Sequence, residues 1–321
     1  MTGRTSRSLS AALTVAGVVA ATVVAGSGPA SADSGHVTHS ARQAHHTVTY
    51  TLDDSSHGNP EGVAWDGRHF FVGATGDGTI YRGTLGDRTV HTFIPGAAGR
   101  ASVGMKTFHG RLYVAGGPTG NIYVYDVAHP RRAPITLATG AGGFLNDLVV
   151  TARGDVYVTD SFRPTLWHVP AGQVKPGGTV DGIDVSAEIP YTAGAFNLNG
   201  IVKFRGGREL VVVNTADGKL YRIQFHVVGG PTISVVDAPA LVGGDGMIVD
   251  RGQLVVVRGD PASLTFLDLN DGRSQASIDR VVTDPALRGP STVAAAFSRY
   301  LVVNADFATS TQPFTVAGLV R

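Results

Sequence analysis

The sequence predicts an all-β protein, a six-bladed β-propeller whose last blade is closed by an N-terminal strand. One unit recurs six times along the 321 residues: a polar opening residue, an apolar run, a Gly-containing turn and a second apolar run. The copies begin at positions 61, 103, 146, 199, 245 and 292, at steps of 42 to 53 residues that are typical of a four-stranded propeller blade. The chain also holds 43 glycines and no cysteine, a composition that favours many short strands joined by tight turns.

The segment 47–52 alternates between polar and apolar residues like a strand, and it precedes the first repeat. The sixth repeat offers three strand patterns, 292–296, 300–304 and 314–320, and lacks a fourth. We therefore expect 47–52 to complete the last blade, so that no sheet edge stays unpaired.

The N-terminus has the three-part form of a secretory signal peptide over residues 1–32. Arg4 and Arg7 precede an apolar run at 9–26, and Ala30-Ser31-Ala32 provides a small-residue site for cleavage after Ala32. The apolar run is nearly long enough for a membrane anchor, which is the alternative interpretation. Residues 33–46 are predicted to be a flexible arm and residues 47–321 the propeller domain of a secreted, extracellular monomer.

The net charge excludes some partners. Removal of the leader takes away two arginines and no acidic residue, so a formal charge of +1 becomes −1. A nearly neutral protein gives no reason to expect nucleic acid or an anionic membrane as a partner. No P-loop, dinucleotide fingerprint, zinc-type His pair or Gly-x-Ser-x-Gly elbow is present, so no organic cofactor is expected.

We call the opening residue of each repeat its opener. Four of the six openers carry a side-chain oxygen: Glu61, Asn146, Asn199 and Asp245. Each begins the innermost strand of its blade, beside the central channel, so the four side chains are expected to converge on the axis. The Gly-rich turns must lie on the opposite face because the strand direction reverses there, which places His69 and His109 far from the openers.

Two carboxylates and two amides form an all-oxygen set that suits a hard cation. Calcium is expected first, and magnesium or manganese are other possible divalent ions. Since calcium takes about six to eight oxygens, four protein ligands would leave positions for water and a substrate oxygen. The alternative is that these residues cap strand ends or hydrogen-bond across the channel.

Four motifs surround the openers: Asn59-Pro60-Glu61-Gly62, Phe144-Leu145-Asn146-Asp147 with Tyr157-Val158-Thr159-Asp160-Ser161, Asn197-Leu198-Asn199-Gly200-Ile201, and Gly244-Asp245-Gly246-Met247. In this order they resemble the signatures of the senescence-marker-protein (regucalcin) and gluconolactonase family of calcium-dependent six-bladed propellers, which is related to paraoxonase and diisopropylfluorophosphatase. The resemblance implies that Glu61, Asn199 and Asp245 are metal ligands. It leaves Asn146 as either a fourth ligand or a substrate contact.

The sequence departs from this family at two positions. Phe144 stands where the sugar lactonases tend to have an arginine, which would hold a sugar hydroxyl or carboxylate; its absence favours a more apolar lactone or ester. Gly62 stands where paraoxonases have an acidic residue that helps to hold a second, structural calcium, so one catalytic ion is expected here.

Asp245 is the predicted general base, with Asn146 beside the substrate carbonyl and His57 as a second candidate for proton transfer. For His57 an exposed loop position without a catalytic role is the alternative. Asp147 follows Asn146 in a strand, so it is expected to face away from the metal and to bond to the backbone.

Further residues near the openers have two interpretations. Asp160 and Ser161 end the next strand on the site face, where they either line the site or only support it. Trp65 and Trp167 are interpreted as packing within the blades.

These observations predict a secreted calcium-dependent hydrolase, in first place a gluconolactonase-like lactonase that acts on a small-molecule cyclic ester. A calcium-dependent phosphotriesterase or arylesterase requires the same metal and differs in the pocket. A non-catalytic, calcium-stabilised binding propeller is the alternative from another functional class, because a fold alone does not fix a function.

Overall fold

The structure, a computed structural model, describes residues 46–321. The predicted signal peptide and all of the predicted arm except its last residue lie outside the described residues. The described chain forms 24 β-strands and two short 3-10 turns, Ala171–Gln173 and Arg205–Gly207, and contains no α-helix between residues 46 and 321. Within this part of the chain no helix is long and apolar enough to cross a membrane.

The strands follow one another in chain order. The first twelve are β1 (Val48–Leu52), β2 (Pro60–Trp65), β3 (Phe70–Ala74), β4 (Ile80–Gly83), β5 (Thr89–Ile94), β6 (Met105–Phe108), β7 (Arg111–Ala115), β8 (Asn121–Asp126), β9 (Ile135–Ala138), β10 (Leu145–Val150), β11 (Val156–Asp160) and β12 (Thr165–Val169). The remaining twelve are β13 (Asp181–Asp184), β14 (Leu198–Phe204), β15 (Glu209–Asn214), β16 (Lys219–Gln224), β17 (Thr232–Val236), β18 (Gly244–Asp250), β19 (Gln253–Arg258), β20 (Ser263–Leu269), β21 (Ala276–Val282), β22 (Pro290–Ala296), β23 (Arg299–Asn304) and β24 (Thr315–Val320).

Sixteen of the strands form four antiparallel sheets of four consecutive strands each: β6–β9, β10–β13, β14–β17 and β18–β21. The other eight form one sheet in the order β2-β3-β4-β5-β1-β24-β23-β22. Strand β1 joins its two halves, because it pairs antiparallel with β24 and parallel with β5. The N-terminal strand thus supplies a fourth strand beside β22, β23 and β24.

Five innermost strands carry a β-bulge at the opener, whereas β6 pairs with β7 in a continuous register. In β2, β10, β14, β18 and β22, two residues face a single residue of the neighbouring strand: Glu61-Gly62, Asn146-Asp147, Asn199-Gly200, Asp245-Gly246 and Ser291-Thr292. A bulge interrupts the alternation of side chains and redirects one of them, and such bulges are frequent beside functional sites. The register also corrects the sixth repeat, whose opening position is Ser291 and not Thr292.

Neighbouring innermost strands touch through the backbone carbonyls of the opening positions. The Gly104 amide, just before β6, donates to Asn146 O of β10 at 2.8 Å. Asn199 O of β14 instead accepts from the Thr159 hydroxyl of β11, the second strand of the neighbouring sheet, at 2.7 Å. The hydroxyls of Ser291 and Thr292 both donate to Glu61 O, at 2.7 and 2.6 Å. The last innermost strand is therefore bonded to the first.

Glycine after an opener permits this close approach. A Cβ atom at Gly62 would lie 2.0 Å from Val103 O, and one at Gly200 would lie 2.2 Å from Asp245 O. Both distances are far below van der Waals contact, so any side chain at these positions would push the innermost strands apart.

The hydrophobic core is divided into six clusters of buried side chains. One of them joins Tyr50 of β1, Phe70 of β3 and Phe314, which precedes β24. The rings of Tyr50 and Phe70 meet edge to face at 5.1 Å. The N-terminal strand is therefore fixed by packing as well as by its backbone pairing.

Candidate metal centre

The structure brings the four predicted ligands to equivalent bulges at the starts of β2, β10, β14 and β18. Each of them has a buried side-chain oxygen without a hydrogen-bond partner: Glu61 Oε2, Asn146 Oδ1, Asn199 Oδ1 and Asp245 Oδ1. Within residues 46–321 only seven side-chain polar atoms are in this condition, and these four are the majority. Because burying an unpaired polar group is costly, four such oxygens from four equivalent positions indicate a place for a ligand.

Electrostatics link the two carboxylates of this group. Burial, followed by the negative charges of Asp245 and Asp147, raises the pKa of Glu61 well above its usual range. Burial, followed by the charge of Asp147, raises the pKa of Asp245 to about 8, while the Asn199 side chain and the Gly246 amide oppose the rise. Two buried carboxylates that repel each other are stabilised by a cation between them.

The Asn146 amide has a fixed orientation. Its Nδ2 donates to Ser161 Oγ at 3.0 Å, and the Ser161 hydroxyl donates to Leu198 O at 2.7 Å. The Asn146 Oδ1 is thereby the end of the amide that stays unpaired. Ser161 therefore supports the site by orienting Asn146.

Asp147 forms a buried ion pair that sequence reasoning missed. Its Oδ1 accepts from Lys106 Nζ at 2.8 Å and from the Leu148 amide at 2.8 Å. Bonding to the backbone agrees with the prediction, but the bulge breaks the expected alternation, and the charge of Asp147 acts on both Glu61 and Asp245. A lysine inside an innermost strand is the signal that could have identified the pair.

The donor set fits a hard cation. Its side-chain oxygens belong to two carboxylates and two amides. Such an all-oxygen set suits calcium better than zinc, which is usually bound by nitrogen and sulfur ligands. Among residues 46–321 no three His, Asp or Glu side chains form a cluster that could hold a metal, so an ion at the openers would depend on the amide oxygens of Asn146 and Asn199.

His57 is bonded to other residues. Its Nδ1 lies 2.7 Å from Asp77 Oδ2 and its Nε2 lies 3.2 Å from Asp54 Oδ2. Both ring nitrogens are thus engaged, and no hydrogen bond or ion pair joins His57 to an opener within the described chain. His69 lines a surface cavity with Arg82 and His91 that contains none of the openers.

Asp160 supports the loop after β11 rather than exposing a functional group. Its Oδ1 accepts the amides of Phe144, Phe162 and Arg163, at 2.9, 3.1 and 3.0 Å. Its Oδ2 accepts from Arg163 Nε and from Trp167 Nε1. Burial alone would raise the pKa of this carboxyl, but the hydrogen bonds outweigh burial and hold the pKa below its usual range. Trp167 therefore does more than pack within its blade.

Known structures share this architecture, whereas sequence comparison finds nothing: no protein-family model and no curated protein matches the chain. A gluconolactonase from Xanthomonas campestris superposes with a TM-score of 0.60 at 17% identity, over 82% of this chain and 86% of that one. Regucalcin from Agrobacterium tumefaciens, described as a calcium-binding protein, gives 0.61 at 15% identity, over 83% and 92%. The fold is that of these gluconolactonase and regucalcin structures.

A periplasmic gluconolactonase from Pseudomonas aeruginosa is also similar, with a TM-score of 0.51 at 14% identity over 70% of each chain. Identities this low show a shared fold and no more. The resemblance inferred from the sequence motifs is confirmed at that level, and a β-propeller is consistent with these neighbours.

Proposed function

We propose that this protein is a calcium-dependent hydrolase that opens a cyclic ester, as a lactonase does. The observation that carries the proposal is the set of four buried, unpaired oxygens at equivalent positions of four innermost strands. Lactonase activity is proposed because gluconolactonases are among the structures that share the fold.

The proposed architecture is a closed, six-bladed propeller of residues 47–321. Two contacts support ring closure: the pairing of β1 with β24, and the hydrogen bonds from Ser291 and Thr292 of β22 to Glu61 of β2. A closed ring leaves no unpaired sheet edge and lets openers distant in sequence meet on one axis.

One calcium ion is proposed to be held by Glu61, Asn146, Asn199 and Asp245. The ion would act as a Lewis acid that polarises the substrate carbonyl and stabilises negative charge developing on its oxygen. The chain itself contributes the orientation of the site, because Ser161 fixes the Asn146 amide and the Lys106–Asp147 pair fixes the bulge beside it.

Asp245 is proposed to accept the proton of the attacking water. A carboxylate that holds the metal through one oxygen, here the unpaired Oδ1, can use its other oxygen as a base toward the attacking water. Among the described residues the alternative base, His57, is already bonded to Asp54 and Asp77, which makes it the weaker candidate.

Export is the proposed cellular context, with cleavage after Ala32 and release of a monomer that contacts neither nucleic acid nor membrane. The form of residues 1–32 supports this, and one structural neighbour is a periplasmic enzyme. N-terminal sequencing of the protein from culture medium tests it; the intact leader on protein from washed membranes would contradict it.

A panel of lactones, aryl esters and phosphotriesters, assayed with calcium and with chelator, tests the proposed activity. Calcium-dependent turnover with lactones preferred is the expected result. A preference for phosphotriesters or aryl esters would support the proposed metal centre and contradict the proposed lactone substrate. Calcium binding without turnover on any member would favour the non-catalytic binding propeller.

A further inference from the structure

Three phenylalanines form an exposed aromatic cluster beside the proposed metal ligands. The ring centroids of Phe144, Phe162 and Phe196 lie 5.1 to 5.5 Å apart in all three pairs. Phe162 and Phe196 are nevertheless 45% and 40% exposed. Each ring therefore packs against the other two; Phe162 and Phe196 present a large surface to solvent, and Phe144 is half-buried. We call these residues the Phe cluster.

The Phe cluster adjoins the centre along the chain. Phe144 precedes Asn146 by two residues, Phe196 precedes Asn199 by three, and Phe162 directly follows Ser161. Since an extended chain rises about 3.3 Å per residue, the backbone of each ring lies within about 10 Å of a ligand or of the residue that orients one. A molecule that placed an oxygen at the openers would reach the cluster with a short side group.

The backbone that carries the cluster is held in place before any ligand arrives. Asp160 Oδ1 accepts the amides of both Phe144 and Phe162, and the Ser161 amide donates to Phe144 O at 2.8 Å. The side chain of Asn197, the residue after Phe196, donates to Ser161 O and to Ala195 O. A surface ordered in this way loses little conformational entropy when it binds.

In the loop after β11, which carries Phe162, the basic side chain nearest to the cluster is already paired. Arg163, the nearest basic residue in sequence to Phe162, is bonded to Asp160 and to the Thr139 backbone and hydroxyl. Its guanidinium also stacks on Trp167, at 4.7 Å from the ring centroid. The cluster thus offers aromatic faces and no donor for a carboxylate or for the hydroxyls of a sugar.

We infer that the Phe cluster binds an apolar alkyl or aryl group that the substrate carries beside its reacting carbonyl. The substrate class is accordingly an apolar lactone or ester, not a polyhydroxylated sugar lactone. This inference rests on the proposed function, because it assigns a binding surface for a substrate side group to the same centre. Exposed aromatic surface next to a polar site is the arrangement that such a ligand needs.

A series of γ-lactones that differ only in the alkyl group on the ring carbon, from none to hexyl, tests the inference. In the unchanged protein kcat/KM should rise about fourfold for each methylene that is buried. In the double variant Phe162→Ala/Phe196→Ala this dependence on chain length should become flat. Phe297→Ala is the matched control, because Phe297 is 66% exposed, packs on Trp65 and lies between β22 and β23 on the turn side.

Binding of the matching lactams, which the centre would not hydrolyse readily, separates this inference from the proposed function. Calorimetric affinity should rise with the alkyl chain in the unchanged protein and in Phe297→Ala, and should not rise in the double variant. Such a rise in lactam affinity without turnover of any lactone would support binding by the Phe cluster and contradict the proposed hydrolase function. Lactone turnover that does not depend on the length of the alkyl chain, or that is faster with gluconolactone than with alkyl lactones, would contradict this inference. The proposed hydrolase function would then still hold.

Discussion

The Ser161 hydroxyl accepts a hydrogen bond of 3.0 Å from the Asn146 side-chain amide, and this bond leaves the Asn146 Oδ1 unpaired. Removing the hydroxyl in Ser161→Ala frees the amide to rotate, so calcium affinity should fall by about 10-fold or more. Isothermal titration with calcium measures the change. Ser234→Ala, at an exposed position of β17, is the control that should keep the original affinity. Equal affinities in the two variants would remove Ser161 from the metal site.

The raised pKa values of Asp245 and Glu61 predict how the metal-free protein responds to pH. A carboxyl whose pKa is raised in the folded state stabilises the fold below its unfolded pKa, near 3.8 for Asp245, and this stability is lost as the pH rises through the folded value of about 8. In chelator the free energy of unfolding should therefore decrease between pH 5 and pH 8, by about 3 kcal/mol.

Urea unfolding at the two pH values, with chelator and with calcium, measures this loss. Saturating calcium should abolish it, because metal binding displaces the protons. The variant Glu61→Gln/Asp245→Asn should lack the decrease even in chelator, which separates these groups from the other titrating residues. A metal-free protein as stable at pH 8 as at pH 5 would show that the two carboxyls are not buried together.

The Lys106–Asp147 ion pair supplies a prediction about stability. Lys106→Met leaves the Asp147 carboxylate buried without its partner, which should cost about 3–5 kcal/mol in urea unfolding. Adding Asp147→Asn should recover part of that loss because it removes the uncompensated charge. Lys219→Met changes an exposed lysine at the start of β16 and should have little effect. A small effect of Lys106→Met as well would mean that the pair contributes nothing to the fold.

Strand β1 is predicted to be necessary for stability. Tyr50 is fully buried against Phe70, so Tyr50→Ala should cost about 3–5 kcal/mol. Thr49 lies on the same strand with its side chain exposed, and Thr49→Ala should change stability by less than about 1 kcal/mol. Thermal unfolding compares the two. Equal stability of the variants would contradict the account of ring closure by the N-terminal strand.

Repetition made much of this architecture predictable. Glycine turns and apolar runs repeat at nearly constant steps, and the alternation at 47–52 identified a strand that lacked a partner. The pairing of that strand with β24 could then be inferred, since an unpaired edge in the last blade would otherwise remain exposed.

Features that depend on register and on contacts distant in sequence were not predictable. The bulge at five of the openers shifts the pairing by one residue, which is why the sixth opener is Ser291. Lys106 and Asp147 meet from different strands, and Phe162 and Phe196 meet Phe144 only after the loops are folded. No sequence pattern shows that Asp54 and Asp77 bind both ring nitrogens of His57.

The most direct test of the account is the calcium-dependent turnover of lactones by Asp245→Asn, measured together with calcium binding by the same variant. Asparagine keeps an oxygen for the metal and removes the proposed base, so calcium should still bind while turnover falls by about 10²–10⁴-fold. Full turnover by Asp245→Asn with calcium bound, or unchanged turnover by the original protein in chelator, would contradict the proposal of a calcium-dependent hydrolase that uses Asp245.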